Sequence, residues 1–581
     1  MKNAGMSDKG RSNTFIRALP LLLICLAAAG LRIWLLREPR VVWGDEPFYL
    51  WLGRNWITGQ GFSFTGHADV HHAPLFPMLS GLLYLVTGDM ARASEVLYVL
   101  FGALLVLPMY AIGTEVYDRR TGYVAAVLTA VFPPLTAGIL HWGTMTEALY
   151  MFFVYSGLWA GLRTLRPLWR KAVPAQPGEA PAEDAFAAQR QDPWWAYALA
   201  GLCFGLAYLT RPEGIGYAVV VGAFIVLLRA VRRRLWEKAL WLKLLLMVAA
   251  FALAFVPYAY YVYLQTGAFM VSEKVGVTYL TCLGLVHGDT AAFDRATWGL
   301  DSTGLETFFF SPESYDVSML QLVLADLRSF ALIIVTNALD FVKTLIGWTM
   351  LPYLLLPAVF LGLFRRGWTR ERTWKELYLV ASFLPTMAFM FFFIQERYIV
   401  AMLPVFILWI AAGLLELSDW LMGTWVLLRS PAEGPYWHMP AGLRVACEAL
   451  PVLLIVAGLL ALHPRVVAEV TNVGSVRMEH RWVGEALHDR LTRDTVLMSR
   501  YPAIAFYADT RWVPTPNASW PEILTYARHK GVHYMAIDER ELRYRPQLAN
   551  LVTGEQVPAE LERVYQSTVD GERMTVYRLV E

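Results

Sequence analysis

Long apolar stretches separated by short polar turns fill this 581-residue chain as far as about residue 462. An apolar run of about 20 residues is long enough to cross a bilayer as a helix. The pattern therefore predicts a mostly α-helical, polytopic membrane bundle of about eleven spans. The predicted spans are 15–36, 93–115, 122–140, 147–165, 194–210, 215–231, 241–264, 346–364, 377–394, 399–415 and 446–462. Two further apolar stretches, 319–347 and 416–430, leave the count open.

Lysine and arginine residues favour one orientation for this bundle. They precede the first span and recur in every second turn, at 119–120, 163–171, 229–243 and 365–372. Cytoplasmic loops carry an excess of such residues, so we expect the N-terminus to be cytoplasmic in a multi-pass protein of the cell (inner) membrane. The loops 37–92 and 265–330, and the tail, then lie on the outer face.

The chain divides into two predicted domains. Residues 1–462 form a transmembrane domain, and 463–581 form an extracytoplasmic α/β domain. Within the first, 172–193 is rich in Ala, Pro, Gln and acidic residues and predicts a flexible cytoplasmic linker. The first outer loop contains two stretches, 46–58 and 73–86, that are apolar on one face but too short to span. They predict amphipathic helices lying at the membrane interface.

In the tail, short apolar runs alternate with polar helices. Strands are predicted at Thr495–Ser499, Arg511–Val513, Val532–Ile537 and Arg573–Leu579, and helices at Arg481–Leu491 and Pro521–Lys530. Asp570–Gly571 predicts a hairpin turn. Neither a glycine-rich phosphate loop nor a nucleophile elbow occurs in this part of the sequence.

Composition narrows the class of protein. The chain is 56% hydrophobic and 17% charged, whereas soluble domains are about 25% charged. A net charge of +2 without a basic tract gives no indication of nucleic-acid binding. The first apolar stretch is too long for a signal peptide and lacks a convincing cleavage site, so we expect it to be retained. The four cysteines have no partners at metal-ligand spacing and are interpreted as apolar filler.

The first outer loop holds the strongest candidate chemistry, the acidic pair Asp45–Glu46. A carboxylate near the membrane surface can accept a proton from an acceptor hydroxyl. Two adjacent carboxylates at a helix start point in different directions, so one can be a base and the other structural. Capping of the helix that begins at Pro47 explains the pair equally well from these residues alone.

Three histidines follow in the same loop. His67, His71 and His72, with Asp69, are possible ligands of a divalent metal, but their spacing matches no firm zinc pattern. A metal is therefore possible and is not required by the sequence.

Other outer turns carry charged residues next to apolar spans. Glu147 opens a predicted span, and a helix N-cap formed by Thr146 explains this arrangement as well as a functional role does. Arg211 and Glu213 either form a local ion pair or bind a ligand. Arg397, in Gln395-Glu396-Arg397-Tyr398, either pairs with Glu396 or binds a phosphate. Lys274 is a weaker candidate for binding a phosphate. Together these residues suit a lipid-borne anionic substrate, which needs a hydrophobic route, cations for its phosphate and a base for the acceptor.

The ordered set of motifs resembles the GT-C membrane glycosyltransferases. It consists of the acidic pair after the first span, the His-x-Pro-Leu-Phe-Pro stretch beginning at His72, Thr-Glu-Ala at 146–148, Arg-Pro-Glu-Gly at 211–214 and Glu-Arg-Tyr at 396–398. The bacterial protein-mannosyltransferase-like and aminoarabinose-transferase-like branch is the most similar. The resemblance covers about 15–415 and the outer C-terminal domain.

The resemblance implies transfer of a sugar, with inversion, from a polyprenyl-phosphate donor to a lipid, glycan or protein acceptor on the outer face. Asp45 matches the acidic base position and Glu46 is second. Glu147 and Glu213 would position substrate, and Tyr398 and His72 would line the site. Arg211 and Arg397 would bind the phosphate, with Lys274 as the weaker candidate for the same role. The family often works without a metal, because Arg or Lys can neutralise one lipid phosphate, although some relatives hold one. The first loop lacks a clear Asp-x-Asp, which argues against donor chemistry that needs a divalent ion on a pyrophosphate.

Two functions from other classes remain open. A transporter of lipid-linked saccharides would also need polar outer turns, but it predicts internal repeats, and none is clear. A non-catalytic membrane scaffold that presents the α/β tail predicts no need for Asp45.

Overall fold

The structure is a computed structural model that describes residues 6–37, 39–142, 145–169, 193–365, 367–429, 439–470, 477–569 and 572–580. Two predictions fall outside these residues: the linker at 172–193, apart from Pro193, and the turn Asp570–Gly571.

Six helical segments among the described residues are long and apolar enough to cross a membrane. They are Ala18–Leu35, Met90–Val116, Gly214–Val231, Lys238–Thr266, Glu396–Arg429 and Ala441–Glu469. A seventh is counted if Met319–Ala325 and Leu327–Leu345, bent by 105°, are treated as one span. The chain is therefore a multi-pass membrane protein, and the predicted count of eleven is not confirmed.

Proline explains why several predicted spans are shorter or broken. The Arg119–Val131 helix ends before Pro133 and Pro134, and the chain resumes helix at Ala137–Trp142. Proline cannot donate the helical hydrogen bond, so it interrupts an apolar run that hydropathy treats as continuous. The 377–394 stretch is likewise divided into Arg370–Ala381 and a short helix, Leu384–Met387, that contains Pro385. The apolar stretch 416–430 adds no span, because it continues the Leu403–Arg429 helix.

The remaining helices lie between and beyond these segments. Those before residue 300 are Glu46–Ile57, Leu75–Thr87, Glu147–Trp169, Trp194–Tyr208, Lys274–Val286 and Thr290–Trp298. Those after it are Leu356–Phe364, Met478–His488, Ala503–Tyr507, Trp520–His529 and Ala549–Thr553. The helices expected over 46–58 and 73–86 are thus both present.

A close backbone contact joins the first two of these helices. A Cβ atom at Gly53 would lie 2.3 Å from the carbonyl oxygen of Pro77, and one at Gly81 would lie 2.4 Å from the carbonyl oxygen of Gly53. Only glycine fits at both positions. The contact fixes the Glu46–Ile57 helix, at whose start Asp45 lies, against Leu75–Thr87.

The C-terminal region contains one five-stranded sheet. Its strands are β1 (Val496–Ser499), β2 (Arg511–Val513), β3 (Tyr534–Asp538), β4 (Leu561–Val569) and β5 (Glu572–Leu579), in the order β2-β1-β3-β5-β4. β1 pairs in parallel with β2 and β3, whereas β5 pairs antiparallel with β3 and β4. Four of the strands were expected from the sequence. β4 was missed because its polar residues, among them Glu562, Arg563 and Gln566, weaken the strand signal.

Candidate active site

One cavity gathers most of the residues singled out in the sequence. It has a volume of about 460 Å³ and lies where the turns between helices meet the loop 265–330. Its lining includes Asp45, His71, His72, Glu147, Arg211, Glu213, Lys274, Arg397 and Tyr398. These residues are up to 353 positions apart in the chain, so their convergence is a property of the fold.

A larger open groove of about 1030 Å³ lies between the 280–308 region and the Trp520–His529 helix. None of the predicted site residues lines it. The smaller cavity is therefore the better candidate for chemistry.

The side chain of Asp45 faces the cavity and does not cap the helix that follows it. Asp45 occupies the N-cap position of Glu46–Ile57, but its carboxylate accepts no hydrogen bond from the helix backbone. Instead Oδ2 accepts a hydrogen bond from Nη2 of Arg397 at 2.9 Å, and the Asp45 side chain is 40% exposed. Burial acts to raise the pKa of Asp45, but the charges of Arg397, Lys274 and His72 outweigh it and hold this pKa well below its usual range.

Arg397 does not form the local ion pair within its own turn that the sequence left open. Its ion pair is with Asp45 and not with the neighbouring Glu396. The guanidinium donates a second hydrogen bond to the Tyr398 hydroxyl at 3.1 Å, and the Tyr398 ring stacks on Phe389 at 4.5 Å between centroids. Nε of Arg397 is buried without a hydrogen-bond partner.

Glu46 is separate from the cavity. It is fully buried, and both carboxylate oxygens accept hydrogen bonds from Nη1 of Arg40 at 3.0 and 3.1 Å. Arg40 also pairs with Glu95 at 3.2 Å. The two members of the acidic pair thus have different surroundings: Asp45 faces the cavity, and Glu46 anchors the preceding segment.

A second acid–arginine group lines the same cavity. Nη1 of Arg211 donates to Oε1 of Glu147 at 3.0 Å, and the same guanidinium lies 3.4 Å from Glu213. The rings of Tyr150 and Tyr398 lie 5.6 and 5.4 Å from this guanidinium. Arg211 is therefore held between two carboxylates and two aromatic rings, and the other oxygen of Glu147, Oε2, is buried without a partner.

Lys274 differs from the two arginines of the cavity because its ammonium group is not paired with a carboxylate among the described residues. It opens the Lys274–Val286 helix, and its ammonium lies 5.7 Å from the centroid of the Phe309 ring. Among the residues that the structure describes, it makes no ion pair within 4 Å. Its charge is therefore available to a ligand, whereas the charges of Arg211 and Arg397 are already shared with carboxylates.

The histidines do not converge on one point. His72 is buried, with Nδ1 3.1 Å from both oxygens of Asp69, and Asp69 also accepts from the backbone amides of His71 and His72. His71 is buried with Nε2 3.8 Å from Glu273, and burial lowers its pKa to about 3. His67 is 71% exposed and lies near Glu306.

Metal-ligating atoms come together elsewhere. Within the described ranges, the one grouping of three such side chains with ligand atoms within 4.8 Å of one another is Glu479, His480 and Asp538, in the C-terminal region. The set predicted from His67, His71 and His72 is not assembled. Asp69, which the sequence suggested only as a ligand, instead orients His72.

Apart from Tyr398, the phenylalanine, tyrosine and tryptophan residues of the lining were not singled out from the sequence. Phe48, Tyr49, Trp298, Phe309 and Phe389 border the cavity. The only signal was the 14% aromatic content of the chain, which does not identify positions.

The fold and the cavity define a polytopic membrane protein whose site combines carboxylates, cations and aromatic rings from separate turns. No protein-family model matches the chain. No curated protein matches it either. Solved structures do match it over most of its length.

Two proteins supply the structural matches that bear on this site. AglB, an archaeal oligosaccharyltransferase from Archaeoglobus fulgidus solved with an inhibitory peptide and a dolichol-phosphate, matches with a TM-score of 0.56 at 16% identity, covering 91% of this chain and 70% of AglB. An Archaeoglobus fulgidus oligosaccharyltransferase in complex with Zn and sulfate matches with a TM-score of 0.54 at 17% identity, covering 90% of this chain and 68% of that protein. ArnT from Cupriavidus metallidurans, bound to undecaprenyl phosphate, matches with a TM-score of 0.52 at 14% identity, covering 98% of both chains.

AglB and ArnT are both GT-C superfamily membrane glycosyltransferases. The chain shares their fold across most of its length, so the resemblance suggested by the sequence motifs is confirmed at the level of the fold.

Proposed function

We propose that this protein is an inverting glycosyltransferase that moves a sugar from a polyprenyl-phosphate donor to an acceptor at the extracytoplasmic face of the membrane. The observation that carries the proposal is the cavity, in which Asp45 pairs with Arg397 and lies in the field of Lys274, while Arg211 lines the same space. Structural neighbours that bind dolichol-phosphate and undecaprenyl phosphate support a lipid-phosphate donor.

The cations have separate tasks in this proposal. Lys274 binds the donor phosphate directly, because no carboxylate competes for it within 4 Å among the described residues. Arg397 holds Asp45 in place and adds positive charge beside the phosphate, and Arg211 does the same with Glu147 and Glu213. Fixed cations of this kind stabilise the charge that develops on the leaving phosphate without reorganisation of solvent.

The apolar side of the cavity suits the lipid. Val275, Phe389, Phe392 and Phe393 line it beside the charged residues. A polyprenyl chain would lie against these side chains while its phosphate meets Lys274. Tyr398, stacked on Phe389, lies where the polar and apolar parts join.

Asp45 acts as the general base. Its carboxylate takes the proton of the acceptor hydroxyl as the oxygen attacks the anomeric carbon from the side opposite the phosphate. The bond between the anomeric carbon and the phosphate oxygen breaks, and polyprenyl phosphate leaves with both electrons. Placing the acceptor between Asp45 and the bound donor supplies most of the rate through orientation. Glu46 supports the loop through Arg40 and does not touch the reactants.

No metal is required in this proposal. His67, His71 and His72 are not placed to share one ion, so the residues expected to hold a metal do not fit one. We derive no step through a metal ion. The zinc in the structure of the Archaeoglobus fulgidus oligosaccharyltransferase is a property of that protein.

The membrane topology follows the distribution of Lys and Arg. We propose a cytoplasmic N-terminus, an extracytoplasmic C-terminal domain and location in the cell (inner) membrane. The domain division near 462 belongs to the same proposal, although the Ala441–Val470 helix continues past it.

The decisive experiment supplies purified protein in lipid nanodiscs with undecaprenyl-phosphate-linked sugars and measures release of undecaprenyl phosphate with and without candidate acceptors. Donor-dependent release is expected from an enzyme. A transporter would move the donor between leaflets without consuming it, and a scaffold would do neither. Mass spectrometry of envelope glycans from a deletion strain then identifies the sugar and the acceptor.

A further inference from the structure

The segment that leads into Asp45 is held by the C-terminal domain. Residues 41–43 belong to neither helix nor strand. The backbone N–H of Val42 donates to the hydroxyl of Tyr507 at 2.8 Å, and Nη1 of Arg481 donates to the carbonyl oxygen of Arg40 at 3.2 Å. An irregular segment thus takes its conformation from side chains more than 400 positions away.

Trp43, two residues before Asp45, is fixed by a charged group. The guanidinium of Arg477 lies 4.4 Å from the Trp43 ring centroid and 4.0 Å from that of Tyr501. Arg477 donates to Oδ2 of Asp538 at 2.9 Å, and Nε2 of His480 lies 2.8 Å from the same oxygen. Asp538 ends strand β3, so a rigid element of the sheet holds Arg477 and, through it, Trp43.

The C-terminal domain also forms hydrogen bonds with a second element of the cavity, the Thr290–Trp298 helix. Asp294, fully buried in the Thr290–Trp298 helix, accepts hydrogen bonds from Arg500 at 2.7 Å, from Arg545 at 2.8 Å and from Asn517 at 2.9 Å. Trp298 at the end of this helix lines the cavity, and its carbonyl oxygen accepts from the backbone of Asn517 at 2.7 Å.

We propose that the C-terminal domain is a positioning element of the transfer site, and that Arg477 and Tyr507 are positioning residues that fix the segment carrying Asp45. The inference rests on the proposed function for the role of Asp45 and on the contacts above for the rest. A base must lie within hydrogen-bond reach of the proton it removes, and a displacement of about 1 Å costs about 100-fold in rate. The role of the domain is then to keep Asp45 beside Arg397 and the cavity.

The test compares two tyrosine variants in the full-length protein. Tyr507→Phe removes the hydroxyl that binds Val42. Tyr577→Phe is the control, because Tyr577 belongs to the same domain, is buried more deeply than the half-buried Tyr507, and its hydroxyl donates to the carbonyl oxygen of Leu551 at 2.5 Å, away from the loop. Arg477→Gln tests the contact with Trp43.

Hydrogen exchange followed by mass spectrometry reads the segment directly. We expect exchange at 40–46 to rise about 2- to 10-fold in Tyr507→Phe, as the loss of one hydrogen bond predicts, and to a similar extent in Arg477→Gln, which loses the contact of the guanidinium with the Trp43 ring. Exchange should stay unchanged in Tyr577→Phe. Unchanged exchange in both test variants would overturn the proposal, and so would an equal rise in the control, which would indicate general loosening of the domain.

Kinetics with an undecaprenyl-phosphate-linked donor separates positioning from substrate binding. We expect kcat to fall in the two test variants while the donor KM stays within about twofold, since the phosphate contacts are untouched. Increased exchange with an unchanged kcat would contradict a positioning role. If Asp45→Asn retains turnover, the base assignment fails, whereas the exchange result still decides whether the domain holds the segment.

Discussion

Replacing Lys274 by methionine isolates one cation of the site. Methionine keeps the length and packing of the side chain and removes its charge. Since Lys274 makes no ion pair within 4 Å among the described residues, its removal leaves no buried carboxylate without a partner. We therefore expect the substitution to lower the affinity for the ligand and to leave the stability of the fold unchanged.

The size of the effect follows from the chemistry of the contact. A hydrogen bond to a charged group contributes about 1.5–3 kcal/mol, and about 1.4 kcal/mol corresponds to a tenfold change in an equilibrium constant. Lys274 is only partly buried, so we expect the lower end, about a 10-fold loss of affinity for undecaprenyl phosphate. Arginine at this position keeps the charge and should restore most of the affinity.

The assay titrates undecaprenyl phosphate into protein in nanodiscs at low and high salt and then measures the donor KM. Lys343→Met serves as the control, because Lys343 is 76% exposed and, among the described residues, its ion pair is with Asp340 in the same helix. Binding by Lys274→Met equal to that of the wild type and of this control would refute the assignment of Lys274 to the phosphate.

Three further predictions test the rest of the site. Arg211→Ala should destabilise the protein by about 3–5 kcal/mol, because it leaves the buried Glu147 without its cation. Glu147→Gln in the same background should recover part of the lost stability. An unchanged thermal unfolding temperature in Arg211→Ala would contradict the pairing. Because the pKa of Asp45 is lowered, its carboxylate stays ionised as the pH falls, and wild-type kcat/KM should persist into the acidic range. Arg397→Gln removes the main cation that lowers this pKa and should shift the acidic limb of the pH profile to higher pH. An unmoved acidic limb would show that Arg397 does not set the ionisation of Asp45. Treatment with EDTA should leave donor-dependent turnover within about twofold, because cationic side chains supply the charge for the phosphate, and a loss that zinc or magnesium restores would contradict this.

Which residues line the cavity was predicted from the sequence better than where the helices break. Hydropathy found the apolar segments, but Pro133, Pro134 and Pro385 interrupt stretches that it treats as continuous. The cavity residues could be predicted because charged groups next to apolar spans are costly near lipid and are therefore candidates for function. Which of them pair with each other could not be predicted from the sequence, since the partner of Asp45 is 352 positions away.

The acidic pair shows the limit most clearly. Asp45 and Glu46 are adjacent and chemically similar, so capping and catalysis fitted both from the sequence. Only the folded chain distinguishes a carboxylate that faces a cavity from one that is buried against Arg40. In the same way, the contact of Trp43 with Arg477 depends on how the C-terminal sheet docks, which no local pattern specifies.

The most direct test of the central claim is the turnover of Asp45→Asn, which keeps the shape of the side chain and removes its capacity to accept a proton. With undecaprenyl phosphate binding measured alongside to verify an intact site, we expect turnover to fall by about 100-fold or more, since general base catalysis contributes about 10²–10⁴-fold. Turnover within about tenfold of wild type, with binding retained, would contradict the assignment of Asp45 as the base.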